Sequence, residues 1–216
     1  MPMINFYNID NIEFMKSKPD KYYDLALVDP EYGIKQGGDK NHTRGKLATS
    51  KKYHSFNDDK PPEQEYFNEL FRVSRNQIIW GANHFIERIN KNSSCWIIWD
   101  KDNGTTDFAD AELAWTSFKT AVRIFKYRWQ GMLQQNMKNK EIRRHPTQKP
   151  IQLYRWILVN YATKGMKILD THGGSFNSAI ACDMEGFYLD IMDIDKKYFD
   201  DGIKAFNNYK KQLILF

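Results

Sequence analysis

Residues 26–34 read "ALVDPEYGI". An apolar run ends in Asp29, followed by Pro30, Glu31 and Tyr32. Two readings compete: a strand that delivers a reactive site at its tip, or a strand followed by an ordinary turn. A second acid-tipped run, "KILDTHGGSFNSAIA" at 167–181, leads from Asp170 through Gly173 and Gly174 into a helix expected near Ser175. Glycine permits positive φ and a close approach of backbone to a ligand. A helix N-terminus adds free N–H groups and a positive end. The combination suits a nucleotide-like cofactor, although the spacing is not that of the dinucleotide fingerprint. A third run, "FYLDIMDID", ends at Asp193, about 20 residues beyond the glycine turn, where an acid typically takes a ribose diol. Asp195 is expected to cap the next helix.

The elements that must position these groups alternate. "INFYNI" reads as a strand and "DNIEFMKS" as a short helix capped by Asp10 or Asn11. "YYDLALV", "NQIIWG", "CWIIW", "AVRIFKYRW", "MKILD" and "FYLDIMDID" read as further strands. "PPEQEYFNELFRVS", "NHFIERIN", "DAELAWTSF", "TQKPIQLYRWILVNYA", "SFNSAIACDMEG" and "YFDDGIKAFNNYKKQ" read as helices. In the fourth of these, Leu153, Trp156, Ile157 and Tyr161 occupy the inner spacing. Most strands are continuously apolar, which predicts a mainly parallel seven-stranded sheet with helices on both faces. Ligands in such sheets bind beyond the carboxyl ends of the strands, where Asp29, Asp170 and Asp193 all fall. No internal repeat is visible, and the stretch from Gly33 to Pro62 is polar without sustained period.

The chain has 216 residues, enough for one α/β domain. No run approaches the roughly 20 apolar residues of a membrane span, and no secretion signal is visible, so a cytoplasmic location is expected. Cys95 and Cys182 stand alone in apolar runs without metal or redox spacing, and no metal site is expected. The net charge of +5 is uneven. Between Lys119 and Lys149, nine cations face the single acid Glu141, a net +8. The window 35–60 carries a net +4, and the rest of the chain sums to −7. Two basic segments on an acidic body point to a polyanion, most simply nucleic acid. Within the first, the candidate phosphate contacts are Arg123, Lys126, Arg128, Lys138, Lys140, Arg143 and Arg144. Gln134, Gln135 and Asn136 carry amides that can read adenine edges.

Four segments, "LALVDPEYGI", "NQIIWGANHF", "HPTQKPIQL" and "ILDTHGGS…DID", resemble the amino-group DNA methyltransferases. These enzymes transfer methyl from S-adenosyl-L-methionine to the exocyclic nitrogen of adenine or cytosine. The order, with "DPEY" ahead of the glycine turn, is similar to the permuted subgroup. "ELFRVSRNQIIWGANHF", "AELAWTSF" and "HPTQKP" resemble short prophage-type and bacterial adenine enzymes. The resemblance implies a Rossmann-like methyltransferase fold over the whole chain: a catalytic half at 1–118, a basic target-recognition segment at 119–146 and a cofactor half at 147–216. It implies that Asp29 and the Pro30 carbonyl accept hydrogen bonds from the target amine and that Tyr32 stacks on a flipped base. It further implies cofactor contacts from Asp170, His172, Gly173, Gly174, Ser175 and Asp193. The methionine end is assigned to His145, Thr147 and Lys149, and the adenine surroundings to Asp10. The implied partner is double-stranded DNA, bound by a monomer or homodimer, with adenine N6 favoured over cytosine N4.

The chain departs from that pattern in four places. Glu31 replaces the usual second proline, and Phe176 stands where a small residue is usual. Asp193 replaces a glutamate, and Ile191 a glycine. Phe176 has two expected placements, in the methionine pocket or in the core. The first would favour a decayed relative that binds DNA without methylating it.

Overall fold

The computed structural model describes residues 3–35, 53–55, 58–104, 109–130 and 133–213. Most of the basic 35–60 window therefore lies outside the described residues. The strands are β1 (Ile4–Tyr7), β2 (Tyr23–Val28), β3 (Ser74–Trp80), β4 (Trp96–Asp100), β5 (Ala111–Thr116), β6 (Arg123–Lys126), β7 (Trp129–Gln130), β8 (Leu133–Gln134), β9 (Lys167–Asp170) and β10 (Tyr188–Met192). The helices are α1 (Asn11–Lys16), α2 (Gln64–Val73), α3 (Ile86–Ile89), α4 (Ile151–Tyr161), α5 (Asn177–Glu185) and α6 (Lys196–Leu213). Eight strands form one sheet in the order β1-β10-β9-β2-β3-β5-β4-β6, and β7 and β8 form a separate hairpin. All pairings from β1 to β3 are parallel.

The sheet is covered on both faces because successive residues in the inner stretches of its central strands, such as Leu25–Val28 of β2 and Ile78–Trp80 of β3, are apolar and buried on both sides. Along β2, Leu25 and Leu27 point to one core with Leu153, Ile157 and Leu158 of α4. Ala26 and Val28 point to the other, with Phe14 and Met15 of α1 and Tyr66, Phe67 and Leu70 of α2. The two expected thiols, Cys95 and Cys182, are buried and unbridged. In α4 the fully buried positions are Leu153, Tyr154, Ile157 and Leu158; Trp156 and Tyr161 sit at the core margin.

One element differs in kind from the expectation. "AELAWT" is a strand, not a helix, and it raises the sheet from seven strands to eight. It runs antiparallel between β3 and β4, with Trp115 paired to Ile79 on one side and Trp96 on the other. Helix propensity differs by only a few tenths of a kcal/mol among Ala, Glu and Leu. Two open strand edges, each needing hydrogen-bond partners, outweigh that preference. The Trp115 indole donates to the Lys91 carbonyl at 2.9 Å and the Thr116 hydroxyl to the Cys95 carbonyl at 2.7 Å, which fixes the register. The expected helix at "NHFIERIN" shrinks to a 3₁₀ turn at Ala82–His84 and the single turn α3.

Candidate active site

Asp29, Asp170 and Asp193 all lie at the carboxyl edge of the parallel sheet, immediately after or at the ends of β2, β9 and β10. Because β5 runs backward, its first residues reach the same edge. Glu112 arrives there by that reversal.

The chain after β2 folds Tyr32 back toward the strand end. The Tyr32 hydroxyl donates to Asp29 Oδ1 at 2.8 Å. Its ring lies against Gly81, which follows β3 in a left-handed conformation with φ +68°. A Cβ at Gly81 would stand 2.0 Å from the Tyr32 ring, so only glycine leaves room for the tyrosine. His84 stacks on Tyr32 at 5.1 Å and 19°.

Lys149 enters the same pocket from the loop ahead of α4. Its Nζ lies 2.5 Å from Asp29 Oδ1, 3.0 Å from Glu112 Oε2 and 3.0 Å from the Tyr32 hydroxyl oxygen. The resemblance implies a place for this lysine at the methionine end of the cofactor; in the structure its ammonium is seated on the strand-end acid. Burial pushes the Asp29 carboxyl up, Lys149 opposes that shift, and Glu112 reinforces it. Burial works against the Lys149 ammonium too, but the two carboxylates outweigh it and raise it. Glu112, also enclosed, is held down to about 2 by Lys149 and by Lys101. Lys149 is therefore an ammonium shared by two carboxylates inside the pocket. Glu112 escaped sequence reasoning because its segment read as a helix; "AELAWT" ends in an aromatic and a β-branched residue, the available hint of a strand.

The glycine turn after β9 forms the neighbouring site. Asp170 is spent internally: Ser178 Oγ donates to it at 2.5 Å and the His172 N–H at 3.1 Å. Burial raises its carboxyl to about 6. Gly174, at φ +51°, donates its N–H to Asp193 Oδ2 at 2.8 Å, and Asp195 N–H donates to Oδ1 at 2.9 Å. The strand-end acid thus stands directly across the turn. Asp195 caps α6 as expected, accepting from Lys197 and Tyr198 N–H. His145 covers Gly174 at 3.8 Å from where a Cβ would be, and its ring meets Tyr198 at 4.3 Å. Burial drives the His145 imidazole down to about 4. Thr147 is exposed, with its hydroxyl 3.0 Å from His145 Nδ1. Ser175 is buried in the turn. Asp10 caps α1 through Ile12 and Glu13 N–H, and the next residue, Asn11, reaches His172 at 3.1 Å.

Phe176 takes the second of its two expected placements. It precedes α5 at φ +59°, fully buried, stacked on Phe6 at 5.6 Å and edge-on to Phe199 at 5.9 Å. Its ring fills the space over Gly173 and Gly202, where added Cβ atoms would both come within 2.4 Å of it.

The basic segment packs by its aromatics and presents its cations. Trp129 is buried, donates to the Gln148 carbonyl at 2.8 Å, and lies under Arg143 at 4.6 Å. Arg123, Lys126, Arg128, Lys138 and Lys140 are exposed, and Arg143 and Arg144 are half-buried. Lys126 and Arg128 share Asp102 at 2.9 and 2.6 Å. Of the three candidate adenine-reading amides, Gln134 is already committed: it accepts from Glu141 N–H at 2.8 Å and donates to the Glu141 carbonyl at 2.9 Å. Asn136 Oδ1 accepts from Lys138 and Asn139 N–H, and the exposed Gln135 accepts from Arg128 N–H through its Oε1 at 3.3 Å.

The glycine turn fits a nucleoside cofactor carrying an amino-acid end. Asp193 faces Gly174, and each of its carboxylate oxygens accepts one hydrogen bond among the described residues, which leaves each with acceptor capacity for a diol. Asn177, the first residue of α5, has its Oδ1 buried with no hydrogen-bond partner among the described residues, an acceptor left over for a cationic donor. The DNA methylase family, which takes in the N6 and N4 amino-group enzymes, matches residues 5–204. The chain therefore belongs to the amino-group DNA methyltransferases, a class that draws its methyl group from S-adenosyl-L-methionine. Among solved structures it is similar to the M1.HpyAVI–SAM complex at 20% identity and a TM-score of 0.60, covering 94% of this chain and 100% of that one. It is also similar to TTHA0409 of Thermus thermophilus in complex with S-adenosyl-L-methionine, at 14% identity and a TM-score of 0.59, covering 97% of this chain and 94% of that one. A third is the PvuII DNA methyltransferase (cytosine-N4-specific), at 12% and 0.59, covering 94% and 86%. These likenesses show the Rossmann-like methyltransferase fold. No curated protein sequence matches the chain.

Proposed function

We propose that the chain methylates the N6 amine of adenine in DNA, taking the base flipped out of the duplex and S-adenosyl-L-methionine as cofactor. The observation that carries the reading is the pairing of Asp29 with Tyr32 at 2.8 Å, at a strand end adjoining the glycine turn. An exocyclic amine is a weak nucleophile because its lone pair is delocalised into the ring. Asp29 Oδ1 and the Pro30 carbonyl accept its two N–H bonds and so favour a pyramidal nitrogen with a directed lone pair. Tyr32, seated on Gly81, offers its ring to the base. Asp29 is also the nearest acceptor for the proton the nitrogen must lose.

The bound cofactor supplies an electrophilic methyl on a sulfonium, so the protein's task is alignment and electrostatics. Asp193 and the Gly173–Gly174 backbone would hold its nucleoside part, with Asp10 nearby. His145, Thr147, Ser175 and His172 would hold its amino-acid end, with Asp170 organising the turn. Arg123, Lys126, Arg128, Lys138, Lys140, Arg143 and Arg144 would take phosphates, and Gln135 a base edge.

Purified chain, tritiated S-adenosyl-L-methionine and mixed-sequence DNA test the reading. Label in DNA, recovered as N6-methyladenine after digestion and mass spectrometry, supports it. N4-methylcytosine would reassign the base, and no transfer together with no calorimetric cofactor binding would refute it. Asp29→Ala is expected to lower transfer by roughly 10²-fold or more while leaving cofactor affinity in place.

A further inference from the structure

Lys149 carries one ammonium and has two carboxylates within reach. Asp29 Oδ1 already accepts from Lys149 at 2.5 Å and from the Tyr32 hydroxyl at 2.8 Å. An oxygen engaged twice is a poor acceptor for a third donor, and a carboxylate neutralised by an ammonium at 2.5 Å is a weak acceptor through either oxygen, yet the proposed reaction needs it for the target amine. The ammonium has no way out to solvent. Its side chain is 1% exposed, with the Trp80 and Tyr32 rings 5.2 and 5.5 Å from Nζ. A buried ammonium that lost its only counter-charge would be strongly disfavoured.

Glu112 removes that difficulty. Its Oε2 stands 3.0 Å from Lys149 Nζ, and its Oε1 is anchored by Lys101. Lys101 continues directly from β4 and holds Glu112 from the far side, leaving the near oxygen facing the pocket. The Tyr32 hydroxyl, 3.4 Å from the same oxygen, can follow the ammonium. Resting on the reading of Asp29 as the amine's acceptor, we infer that Glu112 is a positioning residue acting through Lys149. When the target amine takes Asp29 Oδ1, the Lys149 ammonium moves onto Glu112 and stays charged and paired within the pocket. Substrate entry is then an exchange of one cationic donor for a neutral one, with Glu112 as the second seat of the displaced charge.

The test is a double-mutant cycle. Glu112→Gln keeps the volume and removes the charge, so Lys149 is left with Asp29 alone. Its kcat/KM for DNA is expected to fall roughly ten- to hundredfold, with cofactor affinity within about twofold of the parent. Glu112→Asp should recover part of the loss. In a Lys149→Met background, the same Glu112→Gln change should cost less than about threefold, because no cation remains to be reseated. Equal losses in both backgrounds, or a parental rate for Glu112→Gln, would overturn the inference. A crystal structure of Asp29→Asn gives a reading that needs no turnover. Nζ is expected to leave residue 29 and close on Glu112; an ammonium still bonded to the substituted amide with its Glu112 distance unchanged would overturn it. Absence of methyl transfer by the parent chain would separately refute the proposed activity.

Discussion

Glu31 Oε2 lies 3.4 Å from His172 Nε2. One residue belongs to the loop after β2 and the other to the glycine turn after β9, so the pair bridges the two halves of the site. Thr171 Oγ1 holds His172 Nδ1 at 2.9 Å, and the Tyr66 hydroxyl holds Thr171 at 2.7 Å. The acid that replaces a family proline is thus engaged with the glycine turn after β9. Burial alone would lower the His172 imidazole, but Glu31 outweighs it and raises it. Burial alone would raise Glu31, but His172 outweighs it and lowers it.

The stabilisation from this pair has two edges in pH. The His172 share is complete below its ordinary value of 6.5 and is lost as pH rises through the raised one. The Glu31 share is complete above its ordinary 4.5 and is lost as pH falls through the lowered one. Glu31→Gln should therefore lower Tm most between those ordinary values. The deficit should shrink toward alkaline pH, as followed by thermal melting across a pH series.

Phe176→Gly restores a small residue at the helix entrance and removes the positive-φ strain of a phenylalanine at φ +59°. It also empties a fully buried site. Relief of the left-handed conformation is worth about 1–2 kcal/mol, against about 3–5 kcal/mol for losing a buried phenylalanine. The variant should be destabilised by about 1–4 kcal/mol in urea unfolding. A gain in stability would show that the ring does not fill the core over Gly173 and Gly202.

Gly81→Ala sets a methyl against the Tyr32 ring and forces alanine to φ +68°. The ring must leave its seat, and a displacement on the order of 1 Å at a reacting site costs roughly 10²-fold. Methyl transfer should fall by about that factor while cofactor affinity, measured by calorimetry, holds.

Glu141 sits at the N-terminus of α4, accepting from Ile151 N–H at 3.1 Å and from Asn177 Nδ2 at 3.0 Å. Burial raises its carboxyl to about 7. A carboxyl raised on folding costs stability as pH climbs from its ordinary 4.5 toward 7, at no more than about 1.4 kcal/mol per pH unit. Glu141→Gln should match the parent near pH 5 and exceed it in Tm by pH 8. A constant offset between the two would show that the proton is not the cause.

The alternation of apolar strands and helices made most of the sheet legible, because a strand buried on both faces must be apolar throughout. Asp29, Asp170 and Asp193 were legible for the same reason: each acid ends such a run. Glu112 was not, because the pairing that makes "AELAWT" a strand is supplied by β3 and β4 from outside the segment. The placement of Lys149 was equally hidden, since a lysine in a loop sequence gives no sign that two carboxylates will enclose it. Gln134 looked free to read a base until its amide was found closing on the Glu141 backbone seven residues away.

The Trp129 indole bonded to the Gln148 carbonyl bears on any attempt to retarget this chain by exchanging its basic segment for another. The donor of that bond belongs to the exchangeable piece, and the acceptor is one residue from the lysine seated on Asp29. Gln134 and Glu141 fasten the same piece to α4 and α5. A transplanted segment that kept the outward cations but dropped these three anchors would shift Lys149 along with its own backbone. Workable grafts must be cut inside the anchors, within residues 135–140.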